Sequence, residues 1–145
     1  MTAAEDRRVP VVEVTEPELV AWGERFGREL AFPSFVTLGG ELGAGKTTLV
    51  RAIARAQGSL EPVTSMSYGV VREYLSPRGP VVHIDLYRLD GPDQLPQVGW
   101  EDYLRVKGLV MVEWPERAGG ALPQERIDLQ LEHVPGKPEL RRLTW

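Results

Sequence analysis

The stretch GGELGAGKTT, Gly39 to Thr48, constrains this chain more than any other. A short apolar run, Phe35 to Leu38, leads into it and predicts a buried strand. KTTLVRAIARAQG leads out of it and predicts a helix, with Leu49, Val50 and Ile53 inward and Arg51 and Arg55 outward. Strand, then Gly40-x-x-x-x-Gly45-Lys46-Thr47, then helix, is the Walker A or P-loop arrangement. Glycines permit positive φ and let backbone N–H groups close around an anion. The helix starting near Lys46 points its positive dipole end at the same place. Lys46 adds a movable cation for the β- and γ-phosphates, and the Thr47 hydroxyl is placed to ligate Mg2+.

Such a loop needs acidic company, because Mg2+ takes oxygen ligands, usually one or two carboxylates with phosphates and water. Two acids lie at or near the ends of apolar strands, Asp85 in VVHIDLYR and Glu113 in LVMVEWPE, where open α/β sheets place ligands. One is expected to serve the metal and the other the attacking water, and spacing does not assign them. His83 shares a strand face with Asp85 and is read as a strand histidine bonded to backbone. Trp114 is read as lining the nucleotide pocket. Arg141 and Arg142 are read as a solvated strand face.

The chain has no asparagine, so the Asn-Lys-x-Asp device that commonly reads guanine is absent and ATP is favoured over GTP. A small-molecule P-loop kinase is the natural alternative to an ATPase. It would need an arginine-rich lid, for which RVKG and SPRG are thin candidates. A hydrolase needs only a positioned water and a mobile loop, and TSMSYG, rich in small hydroxyl residues, offers one.

The 145 residues suit a single domain, 1–145. A net charge of −4 makes a poor stand-alone nucleic-acid binder, since that affinity rests on Lys and Arg neutralising phosphates. Without cysteine, disulfides, thiol catalysis and Cys-based zinc sites are excluded. The N-terminus lacks the apolar core of a signal peptide, and no stretch approaches the roughly 20 apolar residues that span a bilayer. A soluble cytoplasmic protein is expected.

Elsewhere, Val9 to Val14 predicts a strand. Thr15 with Glu18 is a capping-box signature opening a helix from about Glu16 to Leu30. Gly69 to Leu75 and VVHIDLYRL, ending near Asp85, predict strands separated by the turn SPRG. Pro96 and Gly99 split GPDQLPQVGWEDYLRV into two short helical pieces. GLVMVEW predicts a strand covered on both faces, PERAGGALPQ a loop, and RIDLQLEHV with LRRLTW a terminal hairpin with one wet face. The expected fold is α/β, P-loop NTPase-like in three layers. Its central, mostly parallel sheet is flanked by helices and carries a C-terminal antiparallel hairpin.

In order, GELGAGKTT, TSMSYGVVREY, HIDLYRL, GPDQLPQVGWEDYL, LVMVEWPERAGGALP and the closing hairpin resemble the bacterial TsaE (YjeE) family, the ATPase partner in tRNA threonylcarbamoyladenosine biosynthesis. The resemblance runs from about Thr15 to the C-terminus. Its P-loop is generic, whereas HIDLYRL with EWPE at this separation is specific. It implies ATP and Mg2+ as cofactors. Glu41, Leu42, Gly43, Ala44, Gly45, Lys46, Thr47 and Thr48 would cradle the phosphates. Thr47 and Glu113 would hold Mg2+, Asp85 would orient or activate water, and the segment around Val14 and Thr15 would contact the base. Glu41 stands where the family usually has Asp. Ser65, Met66, Ser67 and Tyr68 stand where it reads Ser-Pro-Thr-Tyr, so a hydroxyl survives at Ser67 but the proline is lost. The resemblance further implies a TsaB–TsaD heterodimer as partner and weak ATP hydrolysis alone, stimulated by that pair. tRNA would be met only through the complex, with no membrane involved.

Overall fold

The computed structural model describes residues 10–58 and 71–145. Its centre is built from the apolar runs. β2 (Ser34–Gly40) and β5 (Leu109–Glu113) pair in parallel, with Phe35 opposite Val110 and Leu38 opposite Glu113. β4 (Gly79–Asp85) joins β5 and β6 (Ile127–Val134) joins β2, both in parallel. Every residue of β5 is buried, as a strand covered on both faces requires. At the rims, β3 (Val71–Ser76) runs antiparallel to β4, β7 (Lys137–Thr144) antiparallel to β6, and β1 (Val11–Val14) antiparallel to β7.

The seven strands lie in the order β1-β7-β6-β2-β5-β4-β3. Three neighbouring pairs are parallel and three antiparallel, so the sheet is mixed rather than mostly parallel. Connection length explains two of the three antiparallel pairs, β3–β4 and β6–β7. Pro77-Arg78 and Pro135-Gly136 are too short for a crossover and allow only hairpins.

One face carries two regular helices. α1 (Glu16–Glu29) opens with the capping box: Glu18 N–H donates to Thr15 Oγ1 at 3.4 Å, and Thr15 N–H donates to Glu18 Oε1 at 3.0 Å. α1 packs on α2 (Lys46–Ala56) through Gly23 and Gly27, which the sequence reading passed over. A Cβ on Gly23 would lie 2.8 Å from Leu49 Cδ1, and one on Gly27 would lie 2.9 Å from the Ile53 carbonyl. Only glycine lets the two backbones approach so closely.

The other face carries a 3-10 helix at Pro92–Val98, α3 (Trp100–Tyr103) and a second 3-10 helix at Pro115–Ala121. The second of these replaces the expected loop. Pro115 sets its first turn, the Arg117 guanidinium donates to the Leu89 carbonyl at 2.6 Å, and the Trp100 indole N–H donates to the Ala121 carbonyl at 3.2 Å. Two cores result. Val36, Leu38, Met111 and Leu129 pack under α1 and α2, while Val82, Ile84, Val110 and Val112 pack under the short turns. Val9, the start of the Gly69 strand, and the Ser65, Met66, Ser67, Tyr68 loop lie outside the described residues. No helix among the described residues is long and apolar enough to cross a membrane.

Candidate functional site

β2 delivers the glycine loop at the edge of the sheet where β4 and β5 also end. Gly40 has φ 132°, and a Cβ there would sit 1.9 Å from the Leu131 carbonyl of β6. No side chain could occupy that position without moving β2 off β6. Gly43 (φ 77°) and Gly45 (φ 104°) then turn the chain left-handed into α2. Gly45 is the N-cap and no side chain caps α2, so its first-turn N–H groups stay available to an anion.

Lys46 is only 4% exposed. Its ammonium donates to the Gly40 carbonyl at 2.6 Å and lies 3.4 Å from the centre of the Trp114 ring. Burial pushes the Lys46 pKa below the ordinary lysine value, and the charges of Glu113, Glu116 and Asp85 push it partly back. Trp114 reaches this position by taking a left-handed backbone (φ 59°), the only non-glycine to do so among the described residues. Tyr87 packs against the same indole with ring centres 5.0 Å apart.

The Thr47 hydroxyl donates to Glu113 and lies 3.2 Å from each carboxylate oxygen. Glu113 is 2% exposed. Asp85 sits opposite Glu113 in the β4–β5 register, and its Oδ1 accepts the Tyr87 N–H at 3.0 Å. His83 does not bond to backbone as expected: its Nε2 meets Glu113 Oε2 at 2.5 Å, both side chains buried. A polar ring on a fully buried strand needs a partner, and the adjacent strand supplies a carboxylate. The alternation placing His83, Asp85 and Glu113 on the α2 face was the available signal.

Leu42, Gly43, Gly45, Lys46, Thr47, Thr48, Asp85, Glu113 and Trp114, with Tyr87, enclose one cavity of about 340 Å³. Thr15 does not reach it. Thr15 and the buried Ala44 border a neighbouring cavity of about 410 Å³, with Leu19, Pro138 and Arg141. Gly43, Gly45 and Thr48 line both, so the glycine loop is the shared wall. Glu41 points to neither and borders a third cavity, with Gly39, Glu116 and Asp128. Arg141 is half-buried at the second cavity rather than fully solvated, and Arg142 pairs loosely with Glu13 at 3.5 Å. His133, unremarked in the sequence, reaches from β6 to the Leu42 carbonyl at 3.2 Å and braces the loop from its far side.

A seven-stranded α/β sheet, whose central strand runs through a left-handed glycine loop into a helix headed by Lys-Thr and faced by two strand-end acids, defines a P-loop-like α/β protein. Within that class, the chain belongs to the TsaE family: the model for the threonylcarbamoyl adenosine biosynthesis protein TsaE matches residues 14–142. The tRNA threonylcarbamoyladenosine biosynthesis protein TsaE of Haemophilus influenzae is 38% identical over 98 residues, 68% of this chain and 62% of that protein. The protein of the same name from Mycobacterium tuberculosis is 33% identical over 154 residues, covering 100% of this chain and 88% of its own length. The matched part spans about three fifths of the first relatives' length. Among solved structures, YdiB of Bacillus subtilis superposes with a TM-score of 0.70 at 28% identity, covering 95% of this chain and 86% of YdiB.

Proposed function

We propose that this chain binds ATP with Mg2+ and hydrolyses it, as the cytoplasmic ATPase that supports threonylcarbamoyladenosine modification of tRNA alongside the TsaB–TsaD pair. The observation that carries the reading is the convergence of Lys46, Thr47, Asp85 and Glu113 on one cavity walled by the glycine loop. The names of the relatives supply the pathway.

The donor set fits magnesium. A buried carboxylate and a hydroxyl 3.2 Å apart are hard oxygen ligands. Among the described residues there is no cluster of three or more His, Cys, Asp or Glu side chains suited to a metal. Mg2+ is usually held by one or two protein groups plus phosphates and water rather than by a protein cage. Thr47 and Glu113 would hold it, and when bound it supplies positive charge against the phosphate oxygens.

The chain's own groups do the rest. The loop N–H groups and the head of α2 bind the β- and γ-phosphates. Lys46 exchanges its contact with the Gly40 carbonyl for the phosphates and neutralises charge developing at the γ-phosphorus. Asp85 accepts a hydrogen bond from the attacking water and sets its line of approach. Trp114 covers the Lys46 ammonium and keeps bulk water from it. The neighbouring cavity beside Thr15 takes the base.

The test is ATP hydrolysis by the purified chain, with and without a purified TsaB–TsaD pair and with Lys46→Ala as control. Stimulation by the pair that vanishes in the variant is expected. Wild-type turnover by Lys46→Ala would remove the site, and hydrolysis indifferent to the pair would remove the partnership.

A further inference from the structure

We propose that His83 is a positioning residue that sets the Glu113 carboxylate for its metal; the proposal rests on the reading of Glu113 as a magnesium ligand. β4 and β5 run parallel with Asp85 opposite Glu113 and His83 opposite Met111. Val82, Ile84, Val110 and Val112 point into the core under the short turns, so His83 and Glu113 share the opposite, α2-facing side. His83 therefore reaches Glu113 diagonally, one step further along the neighbouring strand.

The contact is 2.5 Å from Nε2 to Oε2, between residues 6% and 2% exposed. A carboxylate that ligates a metal only accepts, so on the reading of Glu113 as a ligand His83 Nε2 is the donor of this contact. A glutamate has several rotatable bonds, and a buried one left unpaired is strongly disfavoured. The His83 N–H answers both problems. It supplies a donor inside the core, and it pins one oxygen. The Thr47 hydroxyl lies 3.2 Å from both oxygens, so Oε2 is shared between His83 and Thr47 while Oε1 has Thr47 as its hydrogen-bond partner among the described residues. The carboxylate is thus presented to the threonine hydroxyl in one orientation before any ligand arrives. Groups that orient a metal ligand from behind typically change metal affinity ten- to a hundredfold when removed. A histidine that merely filled space would change stability and leave metal affinity alone.

Three variants separate the two roles. His83→Leu removes the donor. His83→Gln keeps an amide N–H at nearly the reach of Nε2. His83→Asn keeps the amide but falls short of Glu113. For each full-length variant, ADP binding is measured by calorimetry across a Mg2+ titration and in EDTA, and thermal unfolding is followed in EDTA. His83→Leu and His83→Asn are expected to need roughly tenfold more Mg2+ for half of its effect on ADP affinity. Their ADP affinity in EDTA should stay within about twofold of wild type, and His83→Gln should recover most of the Mg2+ shift. Should the leucine variant fail to fold, asparagine against glutamine carries the comparison. An Mg2+ midpoint in His83→Asn equal to wild type overturns the positioning role and leaves the nucleotide site standing. Wild-type ADP binding indifferent to Mg2+ overturns the metal role of Glu113 and this proposal with it, and wild-type failure to bind ADP overturns the phosphate site itself.

Discussion

The two faces of the sheet are covered by different means. On one, α1 and α2 are regular helices in close backbone contact through Gly23 and Gly27, over an aliphatic core. On the other, two 3-10 helices and the four-residue α3 are tied down by single side chains, the Arg117 guanidinium to Leu89 and the Trp100 indole to Ala121. The chemistry sits with the first face. Lys46 and Thr47 head α2, and His83, Asp85 and Glu113 point toward it from β4 and β5. Positional accuracy at a site comes from rigid elements with locked neighbours, and here the closely packed pair of helices supplies them. The short turns close the second core and place the start of the Trp114 corner.

Damage to the two faces should therefore read out differently. The largest effect is expected from Leu49→Ala, which empties a fully buried position under α2. It should lower unfolding free energy by about 3 kcal/mol in a denaturant titration. It should also weaken ADP binding, because α2 carries Lys46 and Thr47. Gly23→Ala comes next. Its methyl would meet Leu49 Cδ1 and the Ala52 Cβ at 2.8 and 2.9 Å, and forcing α1 off α2 should destabilise by about 1–2 kcal/mol despite alanine's better helix propensity. On the opposite face, Trp100→Phe loses the bond to Ala121 and should lower stability by about 1 kcal/mol. ADP affinity should stay as in wild type. A Trp100→Phe protein that loses ADP affinity as Leu49→Ala does would abolish the division of labour.

The smallest effect is electrostatic. Burial holds the Lys46 pKa below the ordinary value of about 10.4. In the alkaline window below that value the unfolded chain binds more protons than the folded one, so unfolding free energy rises with pH there. Lys46→Met should show a flatter rise over the same window in paired denaturant titrations. An anion bound at the loop should oppose the trend in wild type by favouring the charged ammonium.

The same contrast explains what could be read from the sequence. α1 announced itself through Thr15, Glu18 and the spacing of Leu19, Trp22 and Phe26. β2, β5 and the β6–β7 hairpin did so through uninterrupted or alternating apolar residues. These signals are local. The 3-10 helix at Pro115–Ala121 has no apolar period and is held by bonds to Leu89 and from Trp100, far off in sequence, so it looked like loop. The glycines of α1 drew no reading from the sequence because their reason lies on α2. At the site, the loop and the two strand-end acids were legible from spacing. The His83–Glu113 contact joins residues 30 apart and needed the β4–β5 register, and the separation of Thr15 and Glu41 from the central cavity needed the fold.

The most direct test of the account is a crystal structure of this chain with a non-hydrolysable ATP analogue and Mg2+. The account predicts the β- and γ-phosphates against the N–H groups of the glycine loop, with Lys46 moved from the Gly40 carbonyl onto them. It predicts Mg2+ on Thr47 and Glu113, and the base beside Thr15. A nucleotide seated elsewhere, for instance in the cavity bordered by Glu41 and Asp128, or a metal that avoids Glu113, would contradict it.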